Sequence, residues 1–313
     1  MDSKKYDSFF EGAIVLVTGG AGFIGSHLTQ HLAQLGASVR VLDDFSSGHL
    51  SNLGGIEAQI TEGSILDVAV LEEVMQGCSI VFHEAAFVSV PKSFEHPESC
   101  FASNIKGTSN VLKTAKKANC NRVIFASSAA CYGSAPRVPS RETDPVSAES
   151  PYAQSKVMGE QLMKDAGVDT ASLRYFNVFG QRQDPNSQYA AVVSAFARAI
   201  TSNQVPVIFG DGKQSRDFTH VDNIVHANLL AASHSEPLAG TVFNVGTGSM
   251  MSLLTLLYSM IGSEDVEIDF QPKRDGDVFE SCANIEKITS YFGYSSISNT
   301  TALLETLVNP KPK

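Results

Sequence analysis

The chain has no apolar run approaching the roughly 18 residues that a membrane-spanning helix needs. It also has no surplus of basic charge: 23 Lys and Arg stand against 33 Asp and Glu, a formal charge of -10 over 313 residues. The first absence excludes a spanning helix, and the second argues against non-specific binding to nucleic acid or to an anionic membrane. An anionic ligand would have to be met by local arginines. The five cysteines (Cys78, Cys100, Cys120, Cys131 and Cys282) show no Cys-x-x-Cys spacing and no metal-like grouping with the eight histidines. No metal centre is therefore expected. An odd, scattered set of cysteines reads as the reduced, buried thiols of a cytoplasmic protein. Residues 1–12 carry Lys4 and Lys5 but no long apolar stretch, so no signal peptide is expected. There is no internal repeat and no low-complexity segment.

Glycine is present where it matters. Thr18-Gly19-Gly20-Ala21-Gly22-Phe23-Ile24-Gly25 follows a β-branched run and opens a helical pattern, with Asp43 placed 18 residues beyond the last glycine. Such glycines permit a tight turn and close backbone approach, and the helix N-terminus receives a pyrophosphate. Asp43 would accept hydrogen bonds from an adenosine ribose. Its charge, with that of Asp44, would repel a 2′-phosphate and so favour NAD over NADP. Further along, Tyr152 and Lys156 are spaced to share one helix face. The Lys156 ammonium is expected to stabilise a Tyr152 phenolate, pulling its pKa below the usual value of about 10. That makes a general base able to take a proton from a hydroxyl while hydride leaves the same carbon.

Short β-branched runs alternate with helical patterns. Strands are expected at 13–18, 38–43, 56–61, 80–83, 122–127 and 170–176. Helices are expected at 23–35, 71–75, 104–118 and 152–166. This alternation predicts an α/β fold, a doubly wound parallel-sheet Rossmann domain spanning 1–178. Residues 179–313 are expected to form mainly a smaller substrate lobe, with part of 219–246 packing back on the first domain. In that lobe the pattern predicts helices at 189–201, 253–261 and 285–292, and strands at 241–245 and 266–270. Ligands of open α/β sheets bind at the carboxyl ends of the strands, so the lobe would close there.

Several motifs in order carry a family resemblance: TGGAGFIG, LDDFSSG, His83-Glu84-Ala85-Ala86, Ser127-Ser128-Ala129-Ala130-Cys131-Tyr132-Gly133, the Tyr152/Lys156 pair, Arg174-Tyr175-Phe176-Asn177 and Arg216-Asp217-Phe218. From about Ile14 to Leu307 the chain resembles the extended short-chain dehydrogenases/reductases, and within them the UDP-hexose 4-epimerases. The resemblance implies NAD contacts at Gly19, Gly22, Phe23, Ile24, Asp43, Phe45, Ser46, Gly48, Ser64, Ile65, Ala85, Ala86, Tyr152, Lys156 and Tyr175. Ser64 stands where the family usually has an aspartate for the adenine amine.

For catalysis the resemblance implies Tyr152 as base, Lys156 as its partner on the nicotinamide ribose, and Ser128, in preference to Ser127, as the hydroxyl shared with substrate. Ala129-Ala130 offers no ionisable group where the family's dehydratases and decarboxylases carry acids. Oxidation at C4 of a UDP-hexose followed by re-reduction then remains, with a net NAD-dependent oxidoreductase as the alternative. A non-catalytic NAD sensor would typically have lost the tyrosine or the lysine. The nucleotide-sugar would be held by Asn177, Gln188, Tyr189, Val207, Phe209, Arg216, Arg274 and Asp277. Ser281 takes the position of the family's size gate beside C2 of the sugar. A small residue there implies turnover of UDP-GlcNAc and UDP-GalNAc alongside UDP-glucose and UDP-galactose. A homodimer paired through the helices at 104–118 and 152–166 is expected by the same likeness, with Val111, Val157 and Met158 at the interface.

Overall fold

A computed structural model of the chain describes residues 6–184, 192–273, 278–298 and 300–308. Its centre is a seven-stranded, all-parallel sheet. In spatial order the strands are Thr241–Val245, Asp169–Tyr175, Arg122–Ser128, Ile80–His83, Ile14–Thr18, Ser38–Asp43 and Gln59–Glu62. The chain runs outward from Ile14–Thr18 in one direction, then returns to its other side at Ile80–His83. That reversal opens a crevice at the carboxyl ends of these two strands, the usual ligand position in such sheets.

Both faces of the sheet are covered, so its strands are apolar on both sides. Side chains alternate between the faces. Val15, Val17, Val41, Phe82, Ile124 and Ala126 pack with Leu28 and Leu32 of helix Phe23–Gln34 and with Ile224 and Leu229 of helix Val221–Ser233. Leu16, Leu42, Val81, Val123 and Phe125 pack with Leu71, Val111, Leu112 and Met163 from three helices on the opposite face. A separate apolar cluster, including Phe196, Ile208, Phe218, Leu256, Leu257 and Leu304, forms the core of the second lobe.

Several boundaries differ from the sequence pattern. The third strand begins at Gln59 rather than Ile56, because residues 54–58 follow the short turn Leu50–Leu53. The expected helix at 104–118 is two pieces: a π-helical turn, Ala102–Gly107, runs into the α-helix Thr108–Lys117. Gly107 is needed at that join, since a Cβ there would meet the Ile65 side chain at 2.4 Å. Short helices Val90–Glu95 and Pro97–Phe101, each with proline in its first turn, were not legible as periodic segments. Helix Val221–Ser233 is buried on nearly every side, which erases the amphipathic signal. The helix expected from 189 is described from Val192 onward. All five cysteines are free and buried. No helix among the described residues is long and apolar enough to cross a membrane.

Candidate active site

Five strand ends meet at the crevice: Thr18, Asp43, His83, Ser128 and Tyr175. The glycine loop crosses above them. Gly19 has φ +69° and its N–H donates to Leu42 O at 2.8 Å, while a Cβ on Gly25 would lie 2.1 Å from Gly19 O. Only glycine permits that approach of helix to turn. Gly22 caps helix Phe23–Gln34 without a side-chain hydrogen bond, so the helix presents its first N–H groups without an internal acceptor. This cradle fits a pyrophosphate, and it is the feature of the structure that an NAD site requires.

The Asp43 carboxylate is buried and anchored by N–H donors from Ala21 and Phe45, both at 2.9 Å. Burial pushes its pKa up, and those donors oppose the shift. Phe45 takes a positive φ, and Gly48 sits so close that a Cβ would lie 2.9 Å from the Asp43 carboxylate. Ser46 donates both its N–H and its hydroxyl to Asp44. Ser64 accepts from Leu66 N at 3.2 Å. Ile65 is buried in the core and Ala85 N donates to Thr18 Oγ1 at 3.3 Å, while Ala86 stays partly exposed. His83 bridges Thr18 Oγ1 (2.8 Å) and Thr108 Oγ1 (2.9 Å), and burial lowers its pKa to about 3, so it is a neutral structural link.

Tyr152 lies in the first turn of helix Pro151–Lys164, started by Ser150, which accepts from Ala153 N, and by Pro151. The turn is braced from outside: Tyr152 N donates to Ser93 Oγ, and Ser155 is held by Asn104 Nδ2 at 2.9 Å. Asn104, in the π-helical turn, also clasps both backbone groups of Phe87. Nothing in the local pattern singled Asn104 out. Gly159 lets the helix settle on its strand, since a Cβ would meet the Phe125 ring at 2.5 Å.

The Ser128 hydroxyl lies beside the Tyr152 hydroxyl and acts to lower its pKa. Ser128 also accepts from Ala130 N at the head of the short turn Ala129–Tyr132. Ser127 points elsewhere, donating to Glu160 Oε1 at 2.6 Å. The expected effect of Lys156 on the tyrosine is corrected. Lys156 Nζ donates to Ala126 O at 2.7 Å and stands 5.7 Å from the Tyr152 ring centroid. The ammonium is engaged by the strand, and burial dominates: it pushes the Tyr152 phenol up to about 12 despite the neighbouring Ser128 hydroxyl, and Lys156 down to about 8. In the protein alone, Tyr152 is a phenol.

Behind the centre, Glu160 receives a bidentate pair from Arg174 (2.8 and 2.7 Å), and Arg174 lies 4.7 Å above the Tyr132 ring. In the second lobe, Asp217 is fully buried and accepts from Thr247 N, Thr247 Oγ1, Gly248 N and Ala283 N. It ties three segments together beneath Arg216. Strand Ser215–Arg216 runs parallel to Glu280–Ser281, with Arg216 and Ser281 as register partners. The Arg216 guanidinium donates to Ser215 O and Phe279 O. Val207 and Phe209 belong to a separate strand pair with Asp269–Gln271. Asn177 adopts φ +28° and donates to Asp217 O at 3.4 Å. Tyr175 is buried, its hydroxyl donating to Glu84 Oε1 and accepting from Asn228 Nδ2, both at 2.8 Å. Gln188, Tyr189, Arg274 and Asp277 lie outside the described residues. Among the described residues no three His, Cys, Asp or Glu side chains are grouped as metal ligands.

Residues 15–246 match the model of the NAD dependent epimerase/dehydratase family. A UDP-glucose 4-epimerase of Mycolicibacterium smegmatis is 36% identical over 281 residues, covering 85% of this chain and 88% of that one. Among solved structures, the UDP-N-acetylglucosamine 4-epimerase of Methanobrevibacter ruminantium in complex with UDP-N-acetylmuramic acid superposes with a TM-score of 0.89 at 36% identity, covering 96% and 98% of the two chains. The UDP-glucose 4-epimerase of Thermotoga maritima with UDP-glucose gives 0.88 at 35%, covering 95% and 97%.

Proposed function

Because this chain belongs to the NAD dependent epimerase/dehydratase family, we propose that it is an NAD-containing UDP-hexose 4-epimerase. The observation that carries this reading is the Tyr152–Ser128 hydroxyl pair, set at a strand end beside Ala129-Ala130, which provides no further acid or base. Elimination or decarboxylation would need one.

The glycine loop and Asp43 hold the dinucleotide, with Phe23, Ile24, Phe45, Ser46, Ser64 and Ala86 around it. When bound, oxidised NAD supplies the acceptor and later donor of the C4 hydride, and a positive charge that works with Lys156 against the burial of Tyr152. Tyr152 takes the proton of the sugar 4-hydroxyl, directly or through Ser128, and returns it after the 4-keto sugar has turned over. Lys156 lies on the same helix and holds positive charge near the phenol. For the sugar to turn, the nucleotide must be clamped. Arg216 serves there, with Asn177, Val207 and Phe209, and with Gln188, Tyr189, Arg274 and Asp277. Residues 1–178 would chiefly bind the cofactor and 179–313 chiefly the sugar nucleotide.

We also place the protein in the cytoplasm as a homodimer. Met158 is 48% exposed on helix Pro151–Lys164 and suits a pairing surface, whereas Val111 is fully buried in the core and is removed from it. Incubating the purified protein with UDP-glucose, UDP-GlcNAc and their 4-epimers, without added NAD, and separating the sugars by chromatography tests the reading. Interconversion is expected; stoichiometric NADH would mark an oxidoreductase instead.

Ser281 decides breadth. It is a small, partly buried side chain paired in register with Arg216, and at the gate position it would admit an acetamido group at C2. Ser281→Tyr is expected to lower kcat/KM for the N-acetylated pair by about tenfold or more while largely sparing UDP-glucose and UDP-galactose. Equal losses on both pairs would remove Ser281 from the gate.

A further inference from the structure

Asp217 is a carboxylate that none of the roles above uses. It is fully buried, follows Arg216 directly and precedes Phe218, which packs in the core of the second lobe. Its Oδ1 accepts from Thr247 N at 2.8 Å and Thr247 Oγ1 at 2.6 Å. Its Oδ2 accepts from Gly248 N at 3.0 Å and Ala283 N at 3.2 Å, and its own N–H donates to Ser281 O at 2.8 Å. These partners are distant in the chain. Thr247 and Gly248 leave Thr241–Val245, the edge strand of the parallel sheet, and Ala283 lies just beyond strand Glu280–Ser281.

The join is tight. A Cβ on Gly246 would lie 2.5 Å from Asp217 Oδ2 and 2.7 Å from Ala283 Cβ, so only glycine lets the strand exit approach this closely. Gly246 O also accepts the buried Tyr294 hydroxyl at 2.9 Å, which fixes that exit a second time. Ser140 N donates to Cys282 O and Asn284 N to Ser140 O, both at 2.8 Å, lacing the same segment to the loop downstream of strand Arg122–Ser128. Arg216 is carried by this frame: it is the register partner of Ser281, and its guanidinium donates to Phe279 O at 3.1 Å.

We propose that Asp217 is a positioning residue for the sugar nucleotide: its carboxylate bolts the strand bearing Arg216 to the exit of the sheet's edge strand, and so presents the Arg216 guanidinium to the diphosphate. The proposal rests on Arg216 as the diphosphate clamp, and its test separates the two. An amide of the same size does not replace the carboxylate. Turned one way, its NH2 faces the donors Gly248 N and Ala283 N; turned the other way, it faces Thr247 N. Either way a backbone N–H loses its acceptor in a buried place, and the joined segments move apart.

The test is a double-mutant cycle on the NAD-loaded protein, reading the Kd of UDP by titration calorimetry. Wild type, Arg216→Gln, Asp217→Asn and the double variant are compared. Asp217→Asn should weaken UDP by about tenfold when Arg216 is present, because a charge-assisted contact is misaligned. It should weaken UDP by less than about twofold when Arg216 is already glutamine, because the effect runs through the guanidinium. The bound NAD content should stay that of wild type. Equal factors in the two backgrounds, or an unaltered Asp217→Asn beside a weakened Arg216→Gln, would overturn the proposal and leave the clamp. An Arg216→Gln variant that binds UDP as wild type does would overturn the clamp and the proposal with it.

Thr247→Val is the second variant, should Asp217→Asn fail to fold. It removes one hydroxyl donor and keeps the Thr247 N–H on Asp217 Oδ1. A loss of about threefold in UDP affinity is expected, again confined to the protein that carries Arg216. No loss, or the same loss without Arg216, would overturn the proposal.

Discussion

Tyr152→Phe is expected to lower kcat by about 10²–10⁴-fold, with Tm and NAD affinity close to those of the parent. The substitution removes one oxygen and keeps the ring. The neighbouring Ser128 hydroxyl keeps its own hydrogen bond from Ala130 N, so little of the local structure depends on that oxygen. The helix start rests on Ser150 and Ser93, which phenylalanine does not touch. Retention of more than about a tenth of the activity would move the proton transfer to Ser128 or to water.

Glu160→Ala should be the most destabilising of the changes considered, by about 3–5 kcal/mol, because it strands a buried guanidinium. The side chains of Arg174 and Glu160 are only 4% and 7% exposed. Arg174 Nη1 already has no hydrogen-bond partner, so losing Glu160 would leave the buried guanidinium with only the Tyr132 ring against it. Ser127 would lose its acceptor as well. Urea unfolding of the variant checks this. The exposed pair Lys117–Glu72 serves as the control: Glu72→Ala should cost about 0–1 kcal/mol. Similar losses for both would mean that the Arg174 site relaxes or admits water.

What the sequence could reveal follows the range of the forces involved. The glycine loop, its helix and Asp43 are local, with each residue's role set by neighbours in the chain, and they were legible. So was the alternation that builds the sheet, because burial on both faces leaves continuous apolar runs. The partner of each hydroxyl was not local. Ser127 and Ser128 look alike in sequence, and their separation depends on Glu160 lying 33 residues away. Spacing placed Lys156 one turn from Tyr152 but could not show that Ala126 O would hold its ammonium, since that carbonyl comes from a strand 30 residues earlier. For the same reason the shift of Tyr152 carried the wrong sign: its burial is a property of the assembled crevice. Glu84 stood within a recognised motif, yet its restraint by Tyr175 and Asn228 arises only from packing. Asn104 had no local mark at all.

The central claim is that hydride leaves C4 of the sugar and returns to the same carbon within one binding event. Conversion of a UDP-hexose deuterated at C4, followed by mass analysis and NMR of the epimerised product, tests it most directly. The deuterium should be retained at C4 of the product, with none exchanged with water and no labelled cofactor released. Loss of the label to solvent, or its accumulation in free NADH, would contradict the account.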